Sequence, residues 1–356
     1  MKIKQFIAAL AYATALLFSA YAVQAANFPD PVEGDFIIKK FDFHTGESIT
    51  DMKVHYYTVG DPANEAVLLL HGTTGSGKSM LRAGFSAAMF GPGQPLDASK
   101  YYLIMPDAIG AGGTAKPSNG LRAKFPRYNY DDMVDAQYQL VTQGLGVKHL
   151  RLVMGNSMGG MHVWTWATRY PDFADAAIPM ASLPAPMAGR NWMMRKMLID
   201  SVRNDPLWDN GNYTTQPPNL RIAKVWFSLG TYGGNMNLQA KGATNKQASA
   251  YVDAKVANQK AQDANDEMYQ WDSSRDFDPR ADLHKITAYV LVINSQDDER
   301  NPTELKMLEA YMPAIAHGQV YIIPESPTTT GHGTTGGQSA LYAEQVGGFL
   351  AIVPKK

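Results

Sequence analysis

Short apolar runs bounded by turn residues recur along the chain at 66–71, 101–105, 150–154, 176–180, 289–294 and 319–323. They show little alternation, which suits strands buried on both faces of a parallel sheet. Ahead of them, 36–43 and 52–59 alternate and are rich in β-branched and aromatic residues around Gly46, the pattern of a hairpin. Helical spacing falls between several runs. In 131–144 it is carried by Met133, Val134, Ala136, Leu140 and Val141, and 158–170 is a second helical stretch, ended by Pro171. Strand and helix in alternation predict an α/β fold with an eight-stranded, mostly parallel sheet.

Between 182 and 285 the alternation stops. The segments 189–204 and 245–270 read as helices, the second polar and alanine-rich, and Pro217-Pro218 and Gly233-Gly234 break the region up. The strand pattern resumes at Tyr289 as though one sheet continued. The expected organisation is therefore a single core, 26–182 with 286–356, carrying a helical lid inserted at 183–285.

Composition narrows the chemistry. The chain has 356 residues, 32 Lys+Arg against 33 Asp+Glu, and no cysteine. A net charge of −1 gives no electrostatic reason to expect nucleic acid or an acidic membrane surface as partner. The absence of cysteine excludes disulfides, a thiol nucleophile and Cys-based metal sites. Neither an H-E-x-x-H pattern nor an EF-hand loop occurs, so no metal and no cofactor is expected.

The first 25 residues read as an export signal. Lys2 and Lys4 precede an apolar stretch, and Val23-Gln24-Ala25 is a small-x-small cleavage site. The apolar stretch falls short of the ~20 residues that a span needs. The expectation is an exported, periplasmic protein with no stable membrane association once the signal is removed.

Two motifs compete for the loop after the run 66–71. Gly72-Thr73-Thr74-Gly75-Ser76-Gly77-Lys78-Ser79 matches the phosphate-binding pattern G-x-x-x-x-G-K-S, with Asp107 as a second acid. That is a P-loop NTPase reading. Against it stand the export signal, the hairpin before the loop, and a complete set of parts for another chemistry. In that chemistry His71-Gly72-Thr73 is an oxyanion loop, with the Thr73 N–H as donor.

Those parts centre on Gly155-Asn156-Ser157-Met158-Gly159-Gly160. It is G-x-S-x-G between an apolar strand and a helix, the context of a nucleophile elbow. Ser157 would be the nucleophile, and the Met158 N–H, at a helix N-terminus, the second oxyanion donor. A serine needs a base and an orienting acid, which elbow folds supply in the order Ser, acid, His. His332, between Gly331 and Gly333 after the last strand, is the expected base. Of the other histidines, His71 is expected to shape the oxyanion loop and His162 to pack. The segment after 289–294 offers Asp297, Asp298 and Glu299. Asp298, four residues before Pro302 as is usual in this fold class, is taken as the acid over Asp297.

At these residues the sequence resembles the α/β-hydrolase superfamily and, within it, the homoserine O-acetyltransferase branch. The resemblance runs from about Val67 to the C-terminus. Its specific stretches are the elbow through Met161, Tyr170-Pro171-Asp172, Asp205-Pro206-Leu207-Trp208 with Gly211 and Tyr213, and Phe277-Asp278-Pro279. It implies the α/β-hydrolase fold, Ser157, Asp298 and His332 as a triad, and the inserted region as a lid. Two departures matter. The branch typically has an acidic residue directly after the catalytic histidine, where this chain has Gly333. The branch is also cytosolic and uses acetyl-CoA, which an exported enzyme would not meet. Water becomes the default acceptor, and the expected activity is an exported serine hydrolase of a carboxylic ester or related acyl bond. An O-acyltransferase of the branch's own type is the alternative, and a binding protein on a dead fold is disfavoured by the complete triad. The expected partner is a small-molecule acyl substrate, with a homodimer compatible with this reading. Trp192, Met193, Met194, Met197, Trp226, Phe227 and Tyr232 either wall an apolar pocket or pack the lid helices together.

Overall fold

The structure, a computed structural model, describes residues 27–259 and 262–355; the export signal expected at 1–25 lies outside them. Eight strands form one sheet in the order β1-β2-β4-β3-β5-β6-β7-β8. β1 (Val32–Asp42) and β2 (Ser48–Val59) are the expected hairpin, and β2 joins the sheet antiparallel to β4 (Tyr101–Pro106). β3 (Glu65–Leu70), β4, β5 (Leu150–Asn156), β6 (Ala174–Met180), β7 (Tyr289–Ser295) and β8 (Gly318–Ile323) run parallel.

The continuous apolar runs follow from burial on both faces. In β3, Leu68 and Leu70 join one core cluster, while Val67 and Leu69 join a second on the opposite face, as the two-residue pleat requires. The first face is covered by α2 (Tyr130–Gln139) and α3 (Met158–Arg169), with Trp164 and Trp166 almost fully buried. The second is covered by the short α1 (Ala83–Ser86) and the C-terminal α11 (Ala343–Ile352) through Phe85, Phe349 and Leu350. α2 is shorter than the helical pattern, because Leu140–Gly144 widens into a π turn.

Five helices stand between β6 and β7: α4 (Gly189–Arg203), α5 (Asn219–Thr231), α6 (Asn235–Lys241), α7 (Asn245–Ala257) and α8 (Ala264–Asp272). Leu198, Ile199, Val202, Phe227, Met268 and Trp271 give them an apolar cluster of their own. The single helix expected over 245–270 is in fact two. Asp263 accepts from the amides of Asn265 and Asp266 and so caps a new helix. α5 was masked in the sequence by Pro217-Pro218, which reads as a breaker. Pro218 is its N-cap residue, in the region where proline costs no helical hydrogen bond. The remaining helices are α9 (Met307–Tyr311) and α10 (Thr334–Gly337). No described helix is long and apolar enough to cross a membrane.

Candidate active site

β3 and β5 are neighbours at the centre of the sheet, on either side of the point where the strand order reverses, the usual place for a site in an open α/β sheet. The loops that leave their carboxyl ends therefore meet. A Cβ placed on Gly72 would lie 3.5 Å from Ser157 Cβ, so the β3 loop presses directly on the elbow.

Ser157 joins β5 to α3 with φ 58 and ψ −112, a conformation that L-residues adopt only under constraint. Two glycines make the turn possible. A Cβ on Gly155 would sit 2.3 Å from Gly159 O, and one on Gly159 would sit 2.1 Å from Leu70 O. The amides of Thr73 and Met158, the expected oxyanion donors, take no acceptor among the described residues. The Thr73 hydroxyl is buried without a partner as well.

The β3 loop is held from several sides. His71 Nε2 accepts from Ala108 N at 3.0 Å, and its Nδ1 meets Gly72 O at 2.8 Å. Burial lowers the His71 pKa, in keeping with a neutral ring. Gln270, from α8, accepts from Thr74 N at 2.7 Å and donates to Gly110 O. Asp107 receives the amides of Gly77 at 2.6 Å and Gly113 at 2.7 Å. These bonds, with Gly75 N to Gly72 O and Ser79 N to Ser76 O, commit the amides of Thr74, Gly75, Gly77 and Ser79, half of the G-x-x-x-x-G-K-S stretch, to internal acceptors. Lys78 is exposed, on a short 3-10 turn (Gly77–Leu81). A phosphate cradle needs a row of free amides opening a helix, so the P-loop reading of this stretch is a correction made by its own hydrogen bonds.

His332 arrives on a 3-10 turn, Gly331–Gly333, and Gly331 has φ 58. Its Nε2 lies 2.7 Å from Ser157 Oγ, and its Nδ1 lies 2.8 Å from Asp298 Oδ2 and 3.0 Å from Oδ1. All three side chains are buried. Of the three carboxylates after β7, only Asp298 meets the imidazole. Asp297 turns to the histidine loop, accepting from Gly331 N at 3.1 Å, from Thr329 Oγ1 at 2.8 Å and from Ser295 Oγ. Glu299 pairs with Arg190. Asn301 Nδ2 donates to Asp298 Oδ2 at 2.8 Å, and Arg300 N donates to Oδ1 at 2.9 Å.

These contacts set the electrostatics. Burial pushes the His332 imidazole below its ordinary value; the Arg300 charge adds to this, and Asp298 opposes it. Burial works against ionisation of Asp298, but the neighbouring His332, Asn301 and Arg300 N–H hold its carboxyl below the usual range. His162, on α3, packs edge-on against Tyr130 and is buried, which lowers it to about 3.

Asn301, Gln270 and Arg300 were not singled out by the sequence, and Asp297 was weighed only as the rival acid. Asn301 and Arg300 lie within three residues of Asp298, so their position was a usable signal. Gln270 lies 113 positions after Ser157 in the numbering, and nothing local marks it. The seven apolar residues of the inserted region divide. Phe227 is buried, Trp192 and Met194 pack against the helical cluster, and Met193, Met197 and Trp226 are exposed. Tyr232 lies over the site: its ring centre is 6.4 Å from that of His332, and a Cβ on Gly333 would meet its Cζ at 2.4 Å. Two adjoining cavities flank the acid loop, one of about 160 Å³ bounded by Met161, Phe277 and Arg300, the other of about 620 Å³ beside α9. They share Leu183, Asn301, Pro302 and Met307. Among the described residues no group of three or more His, Asp or Glu is placed to hold a metal ion.

Comparison with known proteins agrees with the fold. A family model described as the alpha/beta hydrolase fold matches residues 65–326. A protein named a probable acyltransferase, from Methanothermobacter thermautotrophicus, is 28% identical over 279 residues, 76% of this chain and 84% of that one. A homoserine O-acetyltransferase from Pelobacter propionicus is 35% identical over 202 residues, and the match spans 52% of this chain and only 54% of that relative. Among solved structures, an acetylester hydrolase from Corynebacterium glutamicum superposes with a TM-score of 0.76 at 19% identity, covering 90% of this chain and 96% of that one. The sheet order, the strained elbow serine and the family match over most of the chain lead to one conclusion: the chain belongs to the alpha/beta hydrolase fold family, and its sequence likeness lies on the homoserine O-acetyltransferase side of it.

Proposed function

We propose that the protein is an exported serine hydrolase that cleaves a carboxylic ester, or a related acyl bond, through an acyl-enzyme. The observation that carries this reading is the continuous hydrogen-bonded chain from Ser157 Oγ through His332 to Asp298. His332 Nε2 takes the Ser157 proton as Oγ attacks the carbonyl, and Asp298 holds the proton on Nδ1 and stabilises the imidazolium. The free amides of Thr73 and Met158 receive the tetrahedral oxyanion, each donor worth ~10²–10³ in rate. His332 then returns its proton to the leaving alcohol. Water, activated by the same base, releases the acid and regenerates Ser157. The export part of the proposal rests on the signal pattern in residues 1–25.

A second reading, an O-acyltransferase, is favoured by the relatives named acyltransferases. The Tyr232 ring supports the hydrolase instead. It fills the space beside Gly333, so no acidic side chain stands there to receive an amino-acid acceptor. An organophosphonate probe with peptide mapping tests the nucleophile, and label anywhere but Ser157, or no label, overturns both readings. Turnover of short p-nitrophenyl esters, set against acetyl-CoA consumption with homoserine, separates them. Efficient acetyl transfer with negligible ester turnover reverses the order.

A further inference from the structure

Two arginines beside the triad are buried without an ion-pair partner among the described residues. Arg195, on α4, is 0% exposed. Its Nε donates to Asn191 Oδ1 at 2.9 Å and its Nη1 to Ser274 Oγ at 3.2 Å, but its buried Nη2 has no partner. Arg300 is 9% exposed; its Nε donates to Thr231 Oγ1 at 3.1 Å. Among the described residues neither Nη atom of Arg300 meets an acceptor, and neither arginine forms an ion pair.

Both guanidiniums share one aromatic floor. Arg195 lies 5.0 Å from the Trp271 ring centre, and Arg300 lies 5.9 Å from it and 4.2 Å from that of Phe227. Aromatic faces ease the burial of a cation, but they do not neutralise two of them. The mutual repulsion shows in Arg300, which burial and then the Arg195 charge lower to about 9 against the opposing charge of Asp298. Buried charges are normally paired; Asp298 acts on Arg300 only from a distance, so the two guanidiniums lack a directly bonded anion. The surroundings are donor-rich. The Tyr130 hydroxyl, among the groups that act on Arg300, is likewise buried without a partner.

The pair is also next to the chemistry. Arg300 stands two residues after Asp298, and Thr231, which holds its Nε, precedes Tyr232 over His332. The cavity of about 160 Å³ joins Arg300 and Asn191, the partner of Arg195, to Met161, one helical turn after Ser157. Its other charged residues, Arg190 and Glu299, neutralise each other.

We propose that Arg195 and Arg300 form an anion subsite beside Ser157, and that the preferred ester carries a carboxylate that docks there. A planar carboxylate matches the guanidinium fork in shape and charge. The proposal rests on the ester-hydrolase reading for its substrate but not for its anion.

Matched ester pairs test it on the full exported chain. One pair places the charge in the acyl half, p-nitrophenyl hemiglutarate against p-nitrophenyl butyrate. The other places it in the alcohol half, 4-carboxyphenyl acetate against phenyl acetate. One anionic ester is expected to exceed its neutral partner in kcat/KM by about tenfold or more, mainly through KM. Arg300→Met and Arg195→Met should bring that ratio towards one, and Arg300→Lys should keep part of it. Equal turnover within both pairs, or a ratio that survives Arg300→Met, overturns the proposal. Should Arg195→Met fail to fold, the Arg300 variants carry the comparison. Glutarate titration followed by tryptophan fluorescence reads the subsite without catalysis. A saturable change lost in Arg300→Met supports it, and no change, or the same change in the variant, overturns it. An absence of all ester turnover with Ser157 unlabelled defeats the hydrolase reading alone, leaving the titration to decide the subsite.

Discussion

The Arg300 amide donates to Asp298 Oδ1 at 2.9 Å, so the residue that carries an unpaired guanidinium also fixes the carboxylate beneath His332. Backbone and side chain of one residue thus act on the same imidazole, the first by orienting its acid partner, the second by its charge. The His332 pKa is lowered by burial first and by Arg300 next. In the proposed mechanism His332 works as a base only when neutral, that is, above its pKa. Lowering that pKa extends activity to lower pH. The acid limb of kcat/KM should therefore lie below the ordinary histidine value of 6.5, and Arg300→Met should move it upward, since protonation then faces one cation fewer. A wild-type limb at or above the ordinary value would contradict this electrostatic account.

Asp297 and Asp298 are consecutive yet separable in function. Asp298→Asn should lower kcat by roughly 10⁴, because the imidazole loses its orienting acceptor. Asp297→Asn should cost much less, because Asp297 bonds the loop that carries His332 and the Ser295 hydroxyl but not the imidazole. Comparable losses in kcat for the two variants would count against this division.

Gln270 reaches from α8 to the oxyanion loop, where it accepts from Thr74 N and donates to Gly110 O. Gln270→Leu should loosen the Thr73 amide. The expected loss is in kcat rather than KM, and smaller than the ~10²–10³ of removing a donor outright. Steady-state kinetics on one short ester suffices, and a change confined to KM would place Gln270 in substrate binding instead.

Gly159→Ala should destabilise the fold by about 1–3 kcal/mol, since overpacking is strongest against backbone that cannot move aside. The new methyl would face Leu70 O in the centre of the sheet. Thermal unfolding measures it, and an unchanged melting temperature would mean that α3 and β3 can separate.

His162 supplies a stability prediction. Its folded pKa of about 3 lies below the ordinary 6.5. Between the two values the unfolded chain binds the proton and the folded one does not. Stability from this group is therefore full above the unfolded value and falls as the pH drops through that window, at roughly 1.4 kcal/mol per unit. Denaturant melts of the wild type and His162→Gln across this range should show the steeper acid loss in the wild type.

The sheet was legible in the chain because its strands are buried on both faces, which forces unbroken apolar runs such as Leu68-Leu69-Leu70. The elbow was legible because its steric demand is local: glycine at 155 and 159 around Ser157. The inserted helices were less so. Pro218 reads as a breaker but opens α5, and Asp263 reads as one more polar residue but starts α8. Both effects depend on where a helix begins, which periodicity alone does not locate.

By itself the sequence determined the fold class, the elbow serine and the glycine-flanked histidine, since these follow from hydrophobic period and from backbone sterics acting over a few residues. Tertiary structure alone decided what depends on distant segments meeting. It brought Asn301 against the Asp298 carboxylate that the spacing to Pro302 had already favoured, turned the amides of Thr74, Gly75, Gly77 and Ser79 onto Gln270, Asp107 and their own loop, and placed Arg195 and Arg300 on one tryptophan with no ion-pair partner among the described residues. The physical reason is that a hydrogen bond or a charge acts over a few ångströms of space, and spacing along the chain carries no measure of that distance.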